Sequence, residues 1–485
     1  MHDNEMLTKP TWKNIAEADR AEHTALRHRM LTGTWYQDLI DSINAHVSVE
    51  RQESWGNPDM SSNIFKETTK TLCALYIKPP VVTNPAAADQ TQGFLGNSGA
   101  LSQSGLWGLM KRVQFFTIGE REQFLRVDFS AETQRISYRI ISPSMVSAMG
   151  APNDPQTPIK IKEFRLRMNP EKGKLEWTYD YLDISNPEYP EYRVFSCGAN
   201  DEDKKQDSTL LYMGADMSGE NYPYIDSQGN PFLPYSLYHA ELTGELFDTW
   251  YNAELVRGSL TSACLYTYFV HLMRDCAFPQ RWVFNAVLAS LVSGDGQSPN
   301  VAVIDSDPAS ILPFMPINEA GEGQTQAQFG QWQAGGDVEK TLEAITTFER
   351  RLATLAGINP ADVQKMSGDP RSGYAIAISR SSLREAQAQY SPSFRIADTT
   401  TIEITAKMLN AFTGTNYPET GYQIKYYELP KSPEEMKAER EDRNDLLARG
   451  LLSKIQAVME MYPDYDRDDA IAYLEQVRRD NALIP

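Results

Sequence analysis

The sequence has no long apolar run. Nowhere in its 485 residues do about 18 apolar residues follow one another, which is roughly the length that a membrane-spanning helix needs. The segment from Met1 to His23 lacks the apolar core of a secretory signal peptide. We therefore expect neither a membrane span nor a signal peptide.

Cysteine is scarce and dispersed. The four cysteines are Cys73, Cys197, Cys264 and Cys276, and no two of them form a Cys-x-x-Cys pair. This spacing argues against a disulfide framework or a zinc site, and it favours reduced thiols in a cytosolic setting. The ordinary role of such cysteines is that of small core hydrophobes.

Positive charge is in deficit. There are 46 lysines and arginines against 65 aspartates and glutamates, which gives a formal net charge of −19. A protein that binds nucleic acid normally carries a basic stripe, and this sequence has no Lys/Arg cluster. Two interpretations stay open: the chain has no nucleic-acid partner, or its surface repels phosphate so that DNA slides past it. Acidity alone does not separate them, because most acidic proteins are simply soluble.

The common catalytic motifs are also missing. The sequence has no GxxxxGK[ST] loop to cradle a nucleotide, and no GxGxxG, HExxH or GxSxG pattern. The histidines form no metal-like cluster; they are His2, His23, His28, His46, His239 and His271. We expect a protein that is not an enzyme, with no catalytic residues, no metal site and no cofactor.

One acidic segment imitates a calcium loop. Positions 1, 3, 5 and 12 of an EF-hand would be Asp464, Asp466, Asp468 and Glu475. However, Asp469 stands where the sharp turn needs glycine, and Pro463 precedes the first ligand position. We interpret the segment as a helix start, with its aspartates at the positive end of the helix.

The rest of the composition is that of a globular protein. Hydrophobic residues make up 41% and charged residues 23%, and the length favours two or more domains. Apolar and polar residues alternate in four segments, as they do in strands: 124–129, 135–140, 159–168 and 174–182. We predict a mainly antiparallel sheet over residues 119–200.

Helical patterns lie on both sides of this sheet. The first 60 or so residues look helical and polar, with a loop at SWGNPD. Helices are predicted over 63–77, 106–116 and about 242–276, with loops over 83–105 and 198–231. Near the C-terminus, Ser432 to Glu435 form a capping box, Gly450 ends that helix, and further helices are predicted from Ser453 and from Asp466 to about Asp480.

The most informative segment is 335–412. Asp337 is placed to cap a helix, and an apolar stripe follows at steps of three or four: Val338, Leu342, Ile345, Phe348, Leu352 and Leu355. Gly357 suits a left-handed position after the last turn. A polar loop over 358–373 leads to a second helix near Ser372, with a kink or restart expected at Pro392.

This order resembles the stem helix, tunnel loop and tunnel helix of tailed-bacteriophage portal proteins. Other segments add to the resemblance. The early portal helix is similar to NIFKETTKTLCALYIKPPVV, the strand before the wing sheet to RISYRIISPSMV, and the entry into the first stem helix to NPFLPYSLYHAEL. The tunnel loop resembles AGINPADVQKMSGDPRSGYAIAI, and the crown resembles LLARGLLSKIQAVMEMYPDYDRDDAIAYLEQVRRD.

The resemblance implies an α+β, portal-like fold with an antiparallel β wing, long stem helices, a mixed clip, a tunnel loop and helix, and a helical C-terminal crown. The implied domains are 1–241 (N-terminal part of the wing), 242–276 (first stem helix), 277–336 (clip), 337–357 (second stem helix), 358–373 (tunnel loop), 374–430 (tunnel helix and wing return) and 431–485 (crown). The segments 83–105 and 198–231 match no portal pattern, and the clip is unusually rich in Gln and Gly.

By the same resemblance, the chain would form a ring, usually of twelve copies, at one capsid vertex of a virion assembled in the host cytoplasm. Double-stranded DNA would pass through the ring without sequence specificity. The implied protein partners are the terminase large subunit, a head-completion or adaptor protein, and a major capsid or scaffolding protein.

The resemblance also assigns residues. In the tunnel loop, the DNA-channel residues would be Gln364, Lys365, Ser367 and Arg371. In the clip, the residues that dock the motor and adaptor would be Asp295, Gln297, Asn300 and Asp305.

Two alternatives remain. The first is another virion structural protein, such as a tail or baseplate subunit, which would lack the helix–loop–helix of 337–412. The second is a hydrolase with a sheet domain and helical additions, which would require a convergent polar site.

Overall fold

A computed structural model describes most of the chain. The described residues are 15–87, 91–96, 98–169, 173–197, 211–247, 253–277, 280–284, 286–288, 314–316, 328–332, 336–358, 373–427, 433–461 and 467–483. They form helices and antiparallel sheets, so the predicted α+β class is confirmed. No described helix is both long enough and apolar enough to cross a membrane.

The chain divides into two compact units. The first comprises Met1–Trp12, Thr69–Asp248 and Gly357–Pro485, and the second comprises Lys13–Thr68 and Thr249–Ala356.

Two antiparallel sheets dominate the first unit. One has the order β3-β2-β9, from β2 (Glu122–Ser130), β3 (Arg135–Ile141) and β9 (Tyr235–His239). The other has the order β4-β5-β6-β7-β8, from β4 (Val146–Ala151), β5 (Asp154–Asn169), β6 (Lys174–Asp183), β7 (Glu191–Cys197) and β8 (Leu211–Asp216). The sequence predicted a single sheet over residues 119–200, but the strands of this region belong to two separate sheets. The alternation of apolar and polar residues predicted where strands lie. It did not predict that β2 pairs with β9, because that pairing joins segments far apart in the sequence.

Two helices of the first unit, α7 (Leu106–Glu120) and α10 (Gly373–Thr413), pack on the three-stranded sheet. The short helices α5 (Gln92–Leu95) and α6 (Ala100–Gln103) pack against each other, and β1 (Val81–Thr83) pairs with β14 (Gln423–Lys425). The predicted loop over 83–105 thus contains two short helices, because Phe94 and Leu101 are buried in the core. The predicted loop over 198–231 contains β8.

The helix α10 runs without a break through Pro392. Of the kink or restart expected there, the restart is therefore wrong and the kink stays a prediction. Later helices follow the predicted signals: α11 (Pro433–Ala448), α12 (Lys454–Met461) and α13 (Arg467–Leu483). Gly450 has a left-handed φ of +73°, and the Ser453 hydroxyl accepts from the Gln456 N–H at 3.0 Å. Asp468 and Asp469 lie in the first turn of α13, as the helix-start interpretation predicted.

The second unit is built around two long helices. These are α8 (Ala253–Ala277) and α9 (Val338–Leu355), accompanied by α1 (Ile15–Thr32), α2 (Tyr36–Asn44) and α3 (Val49–Trp55). Between α8 and α9, β10 (Gln280–Phe284) pairs with β13 (Gln328–Trp332), and β11 (Ala286–Leu288) pairs with β12 (Phe314–Pro316).

Two predicted helix bounds are wrong. The helix predicted over 63–77 is α4 (Ile64–Leu72); it ends early because Leu75 and Tyr76 turn into the core, where both are buried. The helix predicted from residue 242 begins in the structure at Ala253, and residues 242–247 are not helical. The apolar residues in this segment resemble a helical pattern. However, Gly244 has a left-handed φ of +82°, which interrupts a helix.

Candidate functional site

The residues assigned from the portal resemblance lie outside the described residues. This applies to the loop residues Gln364, Lys365, Ser367 and Arg371 and to the clip residues Asp295, Gln297, Asn300 and Asp305. Their roles stay predictions. What the structure describes are the helices that border the loop.

The helices α8 and α9 pack against each other in antiparallel directions. Near one end, Gly258 of α8 lies against Leu352 of α9, and towards the other, Leu272 of α8 lies against Gly336. A Cβ built on either glycine would overlap the leucine that faces it. The absence of a side chain at Gly258 therefore allows the two helices to approach closely.

The helix α9 begins and ends as its sequence predicts. The carboxylate of Asp337 accepts from the Lys340 N–H at 3.1 Å, which satisfies one of the free amides of the first turn. Gly357 follows the helix with a φ of +72°, a conformation that residues with a Cβ rarely adopt.

The predicted apolar stripe of α9 is only partly buried. Ile345 and Leu352 are buried, but Leu342 is 41% and Leu355 59% exposed. The buried face instead includes Glu349, which is 6% exposed. The predicted stripe therefore coincides with the buried face at Ile345 and Leu352 but not at Leu342 and Leu355.

Glu349 is a hydrogen-bonding centre inside the helix pair. Its Oε1 accepts from the hydroxyls of Ser62 at 2.7 Å and Ser262 at 2.9 Å, and its Oε2 accepts from Tyr266 at 3.3 Å. Three hydroxyl donors compensate the carboxylate for the water that it loses. The sequence signal that could have revealed this centre is the spacing of Ser262 and Tyr266, which share one face of α8.

Apolar side chains also lie on the outside of the pair. Val270 and Met273 of α8 are each 48% exposed, and Leu342 and Leu355 of α9 are exposed as well. Long helices with apolar residues on more than one face generally bury the second face against another molecule.

In the first unit, the long helix α10 is anchored through Asp398. This carboxylate is 1% exposed and accepts hydrogen bonds from three tyrosine hydroxyls. Burial raises the pKa of Asp398 to about 6, while the hydrogen bonds from Tyr426, Tyr76 and Tyr238 act in the opposite direction.

A second buried polar centre joins the two sheets. The Arg126 guanidinium of β2 contacts Glu163 of β5 at 2.9 Å and Asp180 of β6 at 2.6 Å. The hydroxyl of Tyr235 accepts a further hydrogen bond from it at 2.8 Å. Burial opposes ionisation of Asp180, but the charges of Arg126 and Arg167 hold its pKa below the ordinary value.

Among the solved structures similar to this chain are three from gene transfer agent particles. The neck of an empty gene transfer agent particle, computed with C6 symmetry, is 10% identical with a TM-score of 0.38, over 81% of this chain and 87% of that chain. A chain from the virion of a native gene transfer agent particle is 10% identical with a TM-score of 0.35, and the match covers 80% of this chain and 86% of that chain. A chain from the neck of the native particle, computed with C12 symmetry, is 13% identical with a TM-score of 0.38, and the match covers 82% of this chain and 88% of that chain.

Similarity at this level does not establish a shared fold, so no functional conclusion depends on it. No protein-family model matches the chain, and no curated protein matches it.

Proposed function

We propose that the chain is the subunit of a portal-type ring, which admits and releases double-stranded DNA at one vertex of a capsid. Its role is structural rather than catalytic. In the proposed assembly, the clip binds the terminase large subunit and later a head-completion protein, and other surfaces meet the major capsid or scaffolding protein.

The observation that carries this proposal is the order of elements around the paired helices. Two long antiparallel helices enclose an insertion of paired strands, a left-handed glycine ends the second helix, and a 41-residue helix follows after a polar segment. This is the order that the sequence resemblance to portal proteins predicts. The alternative of a tail or baseplate subunit does not account for it.

The exposed apolar residues of α8 and α9 support self-association. Val270, Met273, Leu342 and Leu355 present apolar surface that a second copy of the chain would cover. The charge of −19 per chain fits a channel that repels phosphate, because a dense basic groove would bind DNA and stop its movement.

Native mass spectrometry of the purified chain tests the proposal. We expect a closed species of about twelve copies, as cyclic assemblies form when the rotation between neighbours closes. A variant with Leu342→Ser and Leu355→Ser should require roughly tenfold more protein to assemble, since every 1.4 kcal/mol of lost contact energy corresponds to a factor of ten.

The matched control for this variant is Leu451→Ser, in the turn between α11 and α12. Leu451 is 71% exposed but lies outside the paired helices, so its replacement should leave assembly unchanged. A wild-type chain that stays monomeric at micromolar concentration would contradict the portal proposal.

The tunnel-loop residues give a second test. Lys365 and Arg371 are the two cations between Ile358 and Gly373, and a ring of copies would present each of them repeatedly to DNA. Isolated cations make transient phosphate contacts that carry no sequence information.

We therefore expect the double variant Lys365→Ala, Arg371→Ala to assemble normally and to change the amount of DNA packaged or retained. Genome content per particle and infectious titre measure this effect. Normal titres with full-length genomes would show that the loop does not contact DNA.

A further inference from the structure

The anchoring of α10 through Asp398 suggests a function beyond packing. The Asp398 carboxylate accepts from the hydroxyls of Tyr76 at 2.8 Å, Tyr238 at 2.9 Å and Tyr426 at 2.7 Å. Tyr76 follows α4, Tyr238 lies in β9, and Tyr426 follows β14. One side chain of α10 is thus hydrogen-bonded to three separate segments of the first unit.

The surroundings of this carboxylate are aromatic. Phe394, one turn earlier on α10, packs edge-on against Tyr76, and the Trp107 ring of α7 is stacked with the Tyr76 ring at 6.4 Å between centroids. The hydroxyls of Tyr238 and Thr401 also share a hydrogen bond of 2.7 Å. The site excludes water, so a charge on this carboxylate is stabilised by the three tyrosine hydroxyls instead.

Among the described residues, the titratable groups in contact with Asp398 are the three tyrosines, which come from three different segments. The helix α7 contributes the Trp107 ring and the Met110 sulfur, which lies 4.0 Å from the Tyr238 hydroxyl. On α10 itself, the positive charge of Arg395 acts on Tyr426. Within the described part of the chain, no lysine or arginine forms an ion pair with Asp398.

We propose that Asp398 and its three tyrosines form a proton-sensitive anchor, which holds α10 more firmly when the carboxyl is protonated than when it is charged. The neutral acid occupies this site without the cost of burying a charge, and its own O–H donates to a neighbouring oxygen. The charged form depends on all three tyrosine donors. The inference concerns the fold of one subunit and does not require the ring.

The direction of the pH dependence follows from burial. In the folded chain the pKa of Asp398 is raised to about 6, above its value in an opened chain. A carboxyl group whose pKa is raised by folding contributes its full stabilisation of the folded state below the ordinary carboxyl pKa. This contribution is lost as pH rises through about 6. Between pH 5 and pH 8 the equilibrium between anchored and opened α10 should change by about tenfold.

Hydrogen exchange of the full-length chain measures this equilibrium. After correction for intrinsic exchange rates, the amides around Asp398 in α10 should show about tenfold greater protection at pH 5 than at pH 8. In the variant Asp398→Asn, which keeps the shape but does not titrate, most of this difference should be lost; Glu403 of α10, whose pKa is also raised by burial, is present in both proteins. An identical pH dependence in the two proteins would overturn the proposal.

The variant Tyr426→Phe provides an independent test, even where Asp398→Asn impairs folding. It removes one hydrogen bond that favours the charged form, so the midpoint of the pH dependence should move to higher pH. Tyr422→Phe is the matched control, because the Tyr422 hydroxyl donates to the Pro418 carbonyl and not to Asp398. A midpoint that moves equally in both variants, or in neither, would contradict a role for the tyrosine donors.

Discussion

Replacing Arg126 with methionine is expected to lower the free energy of unfolding by about 3–5 kcal/mol. The reason is the charge that the substitution leaves behind. Glu163 is 1% and Asp180 0% exposed at the side chain, so without the guanidinium two buried carboxylates face each other with fewer cationic partners. Breaking a buried ion pair at one end is more costly than replacing the whole group by apolar residues.

Chemical denaturation at neutral pH, followed by circular dichroism, measures this loss. Arg139→Gln is the control, since Arg139 also binds Glu163 and Asp128 but its side chain is 32% exposed; its replacement should cost about 1 kcal/mol or less. A loss below about 1 kcal/mol in Arg126→Met would show that the network does not depend on its central arginine.

The same network predicts a pH effect opposite to that of Asp398. The pKa of Asp180 is held below its ordinary value by Arg126 and Arg167 against the effect of burial. A carboxylate shifted in this direction stabilises the fold above its unfolded-state pKa, and the contribution is lost as pH falls through the folded-state value. Acid should therefore reduce the difference between the wild-type protein and Arg126→Met.

Local signals in the sequence predicted many parts of this fold. The cap at Asp337, the left-handed glycines at 357 and 450, and the capping hydroxyl of Ser453 all lie where the sequence placed them. Each of these depends on one residue and its immediate neighbours, so a single sequence contains enough information to identify it.

Long-range contacts explain what the sequence did not predict. Glu349 is buried because Ser62, Ser262 and Tyr266 converge on it from other segments. Asp398 and Arg126 likewise acquire their environment from strands and helices far away in the chain. A helical stripe identifies a face but does not show which polar residue on that face will find donors.

Gly258→Leu is expected to separate α8 from α9 and to prevent ring assembly. A Cβ at position 258 would overlap the Cδ2 of Leu352 and lie 3.1 Å from its Cδ1, so a leucine at position 258 requires the buried Leu352 side chain or the two helices to move. Overpacking of this kind typically lowers the free energy of unfolding by about 1–3 kcal/mol. Because the proposed ring contacts lie on the outside of the same two helices, their displacement should also disrupt the surface that neighbouring copies bind.

A second substitution shows whether this steric contact is the cause. Leu352→Ala removes the side chain that faces Gly258, so the double variant should recover part of the stability and of the assembly that Gly258→Leu loses, and a double-mutant cycle measures this coupling. The control is Gly108→Leu in α7, where a Cβ meets nothing within 4 Å and a better helix former should raise stability by about 0.5–1 kcal/mol. If Gly258→Leu assembles into the same closed species as the wild-type chain in native mass spectrometry, the close approach of these helices is not required for the ring. Additive losses in the double variant would instead show that Leu352 is not the residue that excludes a side chain at position 258.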